Sequence, residues 1–154
     1  MLALNGISIL AMQFIVPAMP DIQSTFNTTS SKIQLVLTVF MLGYSISQVV
    51  YGPLSDRFGR RPVMIWSLIM FIVGSLVGAF AKDINILILA RLIQAIGAAG
   101  GFVLPPAVAR DVYGPEGSRI AIGWISIAAG FSALLAPFAG GFVHETYGWR
   151  FCVT

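Results

Sequence analysis

The 154-residue chain is 57% hydrophobic and only 10% charged, with a mean hydropathy of +0.88; this composition excludes a soluble domain built around one core and places the chain in a bilayer. Its net charge of +3 is not a nucleic-acid signal, because the arginines sit in short turns instead of gathering on one exposed face. The single cysteine, Cys152, can form no intrachain disulfide, and with no metal-ligand cluster or phosphate loop in the sequence no cofactor is expected.

Five apolar runs are long enough to cross about 30 Å of hydrocarbon at about 1.5 Å per residue: 2–19, 33–54, 63–81, 86–108 and 120–143, with a sixth beginning at Phe151. Open strand edges are not tolerated in lipid, and runs of this length do not fit the short alternating strands of a barrel. The expectation is an all-α polytopic membrane protein. The first run has neither a basic n-region nor a small-residue cleavage site, so it reads as a helix and not as a removed signal peptide.

Helix 1 carries Asn5, Ser8, Met12 and Gln13 on one side of its cylinder, a side that should avoid lipid and face a bundle interior or cavity. Helix 2 adds Ser45 and Gln48, and ends near Leu54. The link that follows, Gly52-Pro-Leu-Ser-Asp-Arg-Phe-Gly-Arg-Arg-Pro62, packs four charges and two glycines between two apolar runs. Asp56 falls at a helix C-terminus, where the macrodipole disfavours an anion by up to about 1 kcal/mol. It needs an external partner, either the N-terminal end of another helix or an arginine of the same turn. Gly52 lies one turn earlier on the same face and would admit such a partner. Gly59 suits a turn needing positive φ, and Pro62 is placed to begin helix 3. Arg57, Arg60 and Arg61 are within reach of lipid phosphates or of Asp111 and Glu116 in the next link on that side.

On helices 3 and 4, Gly74 and Gly78, and Gly97 and Gly101, recur at the spacing that lets helices approach closely in lipid. Arg91 and Gln94 lie one turn apart on helix 4 and share a face. A centrally placed arginine costs on the order of 2.5 to 3.5 kcal/mol, but Arg91 lies near the outer end of its span, which leaves two readings: a polar network, or a side chain snorkelling from that end. Helix 5 presents Ser126, Ala129, Gly130, Ala133, Ala136, Pro137, Gly140 and Gly141 at spacings of three and four, read as one packing side.

Loop arginines and lysines set the topology. Arg57, Arg60, Arg61, Arg110 and Arg119 lie on one side, against Lys32, Lys82 and Arg150 on the other, so the first group and the N-terminus are expected in the cytoplasm.

The segment Gly52-x-Leu54-Ser-Asp56-Arg57-x-Gly59-Arg60-Arg61 resembles, nearly residue for residue, the signature between helices 2 and 3 of the major facilitator superfamily of secondary transporters. Arg91-x-x-Gln94-Ala-x-Gly97 resembles its helix 4 signature, with Ala95 where glycine is usual. Gly130 with Ala136-Pro137-x-x-Gly140-Gly141 resembles the helix 5 signature of antiporters, with Ala136 in place of glycine. Val16-Pro-Ala-Met-Pro20, Tyr51-Gly-Pro53 and Arg110-Asp-Val-Tyr113 look most like the Bcr/CflA-type drug-resistance subgroup.

This resemblance covers essentially the whole chain and implies the N-terminal part of a twelve-helix protein, made of two six-helix halves with inverted three-helix repeats. It implies alternating access to a central site, with the Gly52–Arg61 segment as a gating motif in which Asp56 meets a helix of the second half. Arg91, Gln94 and Gln13 would form a polar network for proton and substrate, and the helix 5 motif would pack the halves together. The subgroup commonly has an acid where this chain has Gln13, and none of the five apolar runs contains Asp or Glu.

The expected partners are lipid, a small-molecule substrate, protons as coupling ion, and a further C-terminal six-helix half, without nucleic acid. The expected location is the inner (plasma) membrane. The leading reading is a proton-coupled drug efflux antiporter. Its alternatives are a porter for an amino acid or sugar, and a non-transporting scaffold or gene fragment. An enzyme is disfavoured because no Ser/His or paired-acid constellation lies within the spans.

Overall fold

The computed structural model describes residues 5, 6, 8, 9, 19–26 and 28–147, without the side chains of 115 and 144–147. Most of the first expected span, Gln13 within it and the expected sixth helix at Phe151 lie outside the described residues. Five helices follow in order: α1 (Met19–Thr25), α2 (Ser30–Phe58), α3 (Arg60–Ala79), α4 (Ile84–Gly114) and α5 (Glu116–Val143), the last with helical backbone running on to Tyr147. The last four are long and apolar enough to cross a membrane, and no strand occurs among the described residues.

The helices outrun the apolar segments that mark them. Polar residues such as Ser30–Lys32 and Ser55–Arg57 still have helical backbone, because hydropathy marks only the part in hydrocarbon while the helical hydrogen-bond ladder runs on into the head-group zone. The expected link at 20–32 is shortened from both sides, α1 running to Thr25 and α2 beginning at Ser30. The link from Arg110 to Arg119 shrinks to a sharp turn at 114–115, where Gly114 takes φ 67°.

The packing order follows from which faces are buried. On α2 the buried residues are Ile33, Val36, Phe40, Gly43, Ser47, Tyr51 and Ser55, a single stripe at spacings of three and four. On α3 they are Val63, Ser67, Gly74, Ser75 and Gly78. Both stripes meet α4, Phe40 packing with Ala95 and Ala98, Tyr51 and Val63 with Ala99 and Leu104, and Gly74 lying against Gln94, while α2 and α3 touch each other far less than either touches the chain from 84 to 147. The central place of α4 is plain from its most apolar stretch, 56% buried against 28% for α2 and α3 and 11% for α5.

What lets α4 sit so close is the absence of side chains. A Cβ on Gly74 would lie 2.5 Å from the backbone N of Gln94, and one on Gly97 would collide with the backbone N of Phe71 and come within 2.6 Å of the Ser67 carbonyl. Lipid tails are as apolar as leucine, so helices in a bilayer associate through such close packing and not through the hydrophobic effect. At the Gly59 end, Tyr51, Val63, Ala99 and Leu104 form an apolar cluster; at the other end Ile22, Ile33, Ala81 and Leu87 form a second one that draws in Val143.

Replacing Gly97 by Leu is expected to destabilise the bundle by about 1–3 kcal/mol, the usual cost of overpacking. Gly123→Leu should be neutral, since a Cβ there meets nothing within 4 Å among the described residues. Thermal melting in detergent, followed by loss of the monodisperse peak, checks this: the first variant should melt at lower temperature than the parent and the second should not.

Candidate functional site

The α2–α3 turn is built by one residue. Gly59 adopts φ 88° and ψ 151°, a conformation that glycine takes without a Cβ penalty. The backbone thereby reverses from Phe58 into Arg60 with no further linker. Pro62 follows in the first turn of α3, where its missing N–H breaks no helical bond.

This geometry places Asp56 and Arg60 one turn apart across the reversal. Arg60 Nη2 pairs with Asp56 Oδ1 at 2.6 Å, Arg60 Nε donates to Asp111 Oδ2 of α4 at 2.9 Å, and Arg60 Nη1 donates to Ser55 Oγ. Ser55 is buried and donates in turn to the Gly52 carbonyl at 2.9 Å. Each of the two charges stands at the end its own helix disfavours: the anion at the C-terminus of α2, the cation at the N-terminus of α3. Their pairing relieves both. A solvent-exposed ion pair alone contributes at most about 1 kcal/mol, but here one planar guanidinium spends three of its edges on α2 and α4 together, fixing geometry as well as charge.

Of the two partners open to Asp56 from sequence, an arginine of the same turn is the one seen. The acid remains exposed even so, its side chain retaining 63% of its accessible surface. It borders a cleft of about 360 Å³ lined by Gly52, Asp56, Arg60, Val103, Ala107, Arg110 and Asp111. A Cβ on Gly52 would meet nothing within 4 Å among the described residues. The small residues at 52 and 107 therefore leave an open, charged recess between α2 and α4. Arg57 and Arg61 point elsewhere: both are exposed and make no ion pair among the described residues, and Arg57 Cζ lies 5.5 Å from the Phe58 ring centroid.

Inside the bundle is a second polar group. Arg91 and Gln94 are each only 1% exposed. Arg91 Nη1 donates to Gln94 Oε1 at 2.8 Å, and Gln94 Nε2 donates to Ser75 Oγ of α3 at 2.7 Å. Arg91 Cζ also stands 5.5 Å over the Phe40 ring of α2, close enough for a cation–π contact. The guanidinium thus lies among three helices and not at a lipid surface. The same glycine that admits α4, Gly74, stands next to Ser75 and brings Gln94 within reach of its hydroxyl. Gln13, expected to join this group, lies outside the described residues. Asn5 and Ser8 of the first span are buried at 1% and 4%, and a Cβ on Gly6 would lie 3.0 Å from Ser132 of α5.

Sequence reasoning missed Ser75 and Phe40. A lone serine or phenylalanine in an apolar helix carries little signal; Ser75 stood out only by following a glycine. The helix 5 set also divides. Ala136 and Gly140 are buried, whereas Ser126, Gly130 and Pro137 are exposed and a Cβ on Gly130 or Gly141 meets nothing within 4 Å among the described residues. The small-residue side is two adjoining strips, one packed on the bundle and one open.

Comparison with known proteins matches residues 1–153 to the Major Facilitator Superfamily. Among curated relatives, the chain is 33% identical over 143 residues to the "Multidrug resistance protein D" of Escherichia coli (strain K12), covering 93% of this chain and 36% of that protein. It is 34% identical over 142 residues to the "Chloramphenicol resistance protein" of Pseudomonas aeruginosa, covering 92% and 34%. An "MFS-type transporter" of Aspergillus terreus (strain NIH 2624 / FGSC A1156) is 34% identical over 146 residues, covering 95% and 26%. The chain thus spans about a third of the length of the curated relatives it matches. With the family match running through the four membrane-crossing helices among the described residues and both polar groups, this multi-pass membrane chain belongs to the Major Facilitator Superfamily of transporters.

Proposed function

We propose that the chain forms part of the N-terminal six-helix transport domain of a drug efflux antiporter in the inner (plasma) membrane, working by alternating access against a C-terminal six-helix half. The observation that carries this reading is the half-satisfied Asp56. It is paired on one oxygen with Arg60, yet 63% exposed on the recess between α2 and α4. An acid so placed favours the positive end of an approaching helix, the contact expected when a second half closes the cytoplasmic side. The names of two relatives, a multidrug resistance protein and a chloramphenicol resistance protein, support drug-like small molecules as substrates. The open strip of α5 at Gly130, Pro137 and Gly141 supports a second packing surface for that half.

Protons are the proposed coupling ion, and the titrating group has to come from outside the apolar runs of this chain. Arg91 keeps its proton at any accessible pH and the glutamines do not titrate. Arg91 therefore acts as a fixed positive charge, held by Gln94 and Phe40, that biases a carboxylate of the second half, while Gln13 and Gln94 supply hydrogen bonds to substrate or water.

The full-length protein, expressed in cells lacking their own efflux pumps, is expected to lower the accumulation of chloramphenicol or a cationic dye. Asp56→Asn should slow that export roughly five- to tenfold, in the range of ordinary conformational coupling, at unchanged membrane expression. Transport of an amino acid or sugar with no effect on drug accumulation would replace efflux by a solute porter, and full export by Asp56→Asn would reduce the motif to a topological anchor.

Orientation is open to direct labelling. In a variant lacking Cys152, a cysteine replacing the exposed Glu116 should be protected from membrane-impermeant thiol reagents applied to intact cells, and one replacing the exposed Asp83 should react. The opposite pattern would invert the topology.

Coupling is tested at Arg91. Arg91→Lys keeps the charge and loses the fork that binds Gln94, so substrate-driven proton flux in proteoliposomes should fall about tenfold, as for a lost charge-assisted hydrogen bond of roughly 1.5 kcal/mol. Normal flux from Arg91→Lys would separate this buried group from coupling.

A further inference from the structure

Between α2 and α3, on the far side of the turn from the recess at Asp56, runs an apolar groove of about 480 Å³. Leu54 and Phe58 form its α2 wall, Val63 and Trp66 its α3 wall, and Tyr51 and Ile96 its floor. It opens sideways: Phe58 is 60% and Trp66 63% exposed. A smaller hollow of about 180 Å³ shares Tyr51, Leu54 and Ile96 and carries the groove on to Ile46. From Ile46 to Phe58 it follows about 18 Å of helix, close to the depth of one leaflet of a hydrocarbon core of about 30 Å.

One end of this groove is charged. Arg57 adjoins Phe58, and Arg61 adjoins Pro62, which also lines the groove. Both arginines are exposed without an ion pair among the described residues, and the 5.5 Å approach of Arg57 to the Phe58 ring holds one guanidinium at the rim. Arg60 does not add to this pair, being taken up by Asp56 and Asp111. An apolar wall by itself does not distinguish one lipid tail from another; two cations at its head-group end do.

We propose that this groove binds an anionic phospholipid, with one acyl chain lying from Phe58 toward Ile46 and the phosphate held between Arg57 and Arg61. The occupant is a lipid and not a drug, because the groove is open to the bilayer along its length and spans one leaflet. Its specificity resides in charge, since two basic side chains near the surface favour anionic over zwitterionic lipid on the order of tenfold or more.

The test uses the full-length protein with Trp66 as its sole tryptophan, in phosphatidylcholine vesicles containing either phosphatidylglycerol or phosphatidylcholine with brominated acyl chains. Quenching of Trp66 should reach its midpoint at a mole fraction of brominated phosphatidylglycerol on the order of tenfold below that of brominated phosphatidylcholine. Arg57→Gln with Arg61→Gln should abolish the difference while both lipids still quench, and Arg57→Lys with Arg61→Lys should retain it. A variant with only Trp124, exposed on α5 at 61%, should show no preference. Equal quenching by the two lipids in the parent, a preference that survives the double Gln variant, or the same preference at Trp124 would each overturn the proposal. So would Trp66 unquenched by either lipid, which would mean that a protein segment or a second copy covers the groove.

Discussion

The architecture depends on two missing side chains. Gly74 and Gly97 let the backbones of α3 and α4 meet at a separation that a single Cβ would forbid. In a solvent as apolar as the helices themselves, that contact supplies the cohesion that burial supplies in water. It also sets the polar interior, because Gln94 reaches the Ser75 hydroxyl only when the helices are this close. Arg91 is stabilised in its turn by Gln94 below it and by the face of Phe40 beside it. Packing and polar chemistry are therefore one arrangement: disturbing the glycine contact moves the arginine.

The turn at Gly59 follows a related economy. Lipid-embedded helices expose strong dipoles at their ends, and the chain places an anion and a cation at the two ends that repel them. Each is an error on its own helix, and together they cancel. Because Arg60 also holds Ser55 and Asp111, the brace extends from α2 to α4 and does not rely on Asp56 alone. The acid is thereby left with an exposed oxygen while the turn keeps its shape.

How much of this was legible depends on whether a residue is rare in its setting. Charges and glycines between two apolar runs are rare, so the turn, its positive-φ glycine and the need of Asp56 for a partner could be read directly. The partner could not, since that required knowing where Arg60 points once the backbone reverses. Arg91 in a span was conspicuous, but its burial was not, because spacing along α4 says nothing of the phenylalanine on α2. Ser75 was hidden by the habit of serine to satisfy itself on its own helix. The small residues of α5 showed a face and not its covering, so the division between Ala136 and Gly130 appeared only in three dimensions.

The connections between helices differ in length at the two ends of the bundle. At the Gly59 end, α2 joins α3 through one residue and α4 joins α5 through the sharp bend at 114–115; at the opposite end the joint at 80–83 between α3 and α4 is longer. Helices tied so tightly at one edge cannot slide past each other there. They are joined like the leaves of a folding screen, by short hinges along one margin and by the apolar cluster of Ile22, Ile33, Ala81 and Leu87 at the other. A tilt imposed at the recess beside Asp56 is then opposed at the far margin by side-chain packing and not by the shortness of the chain.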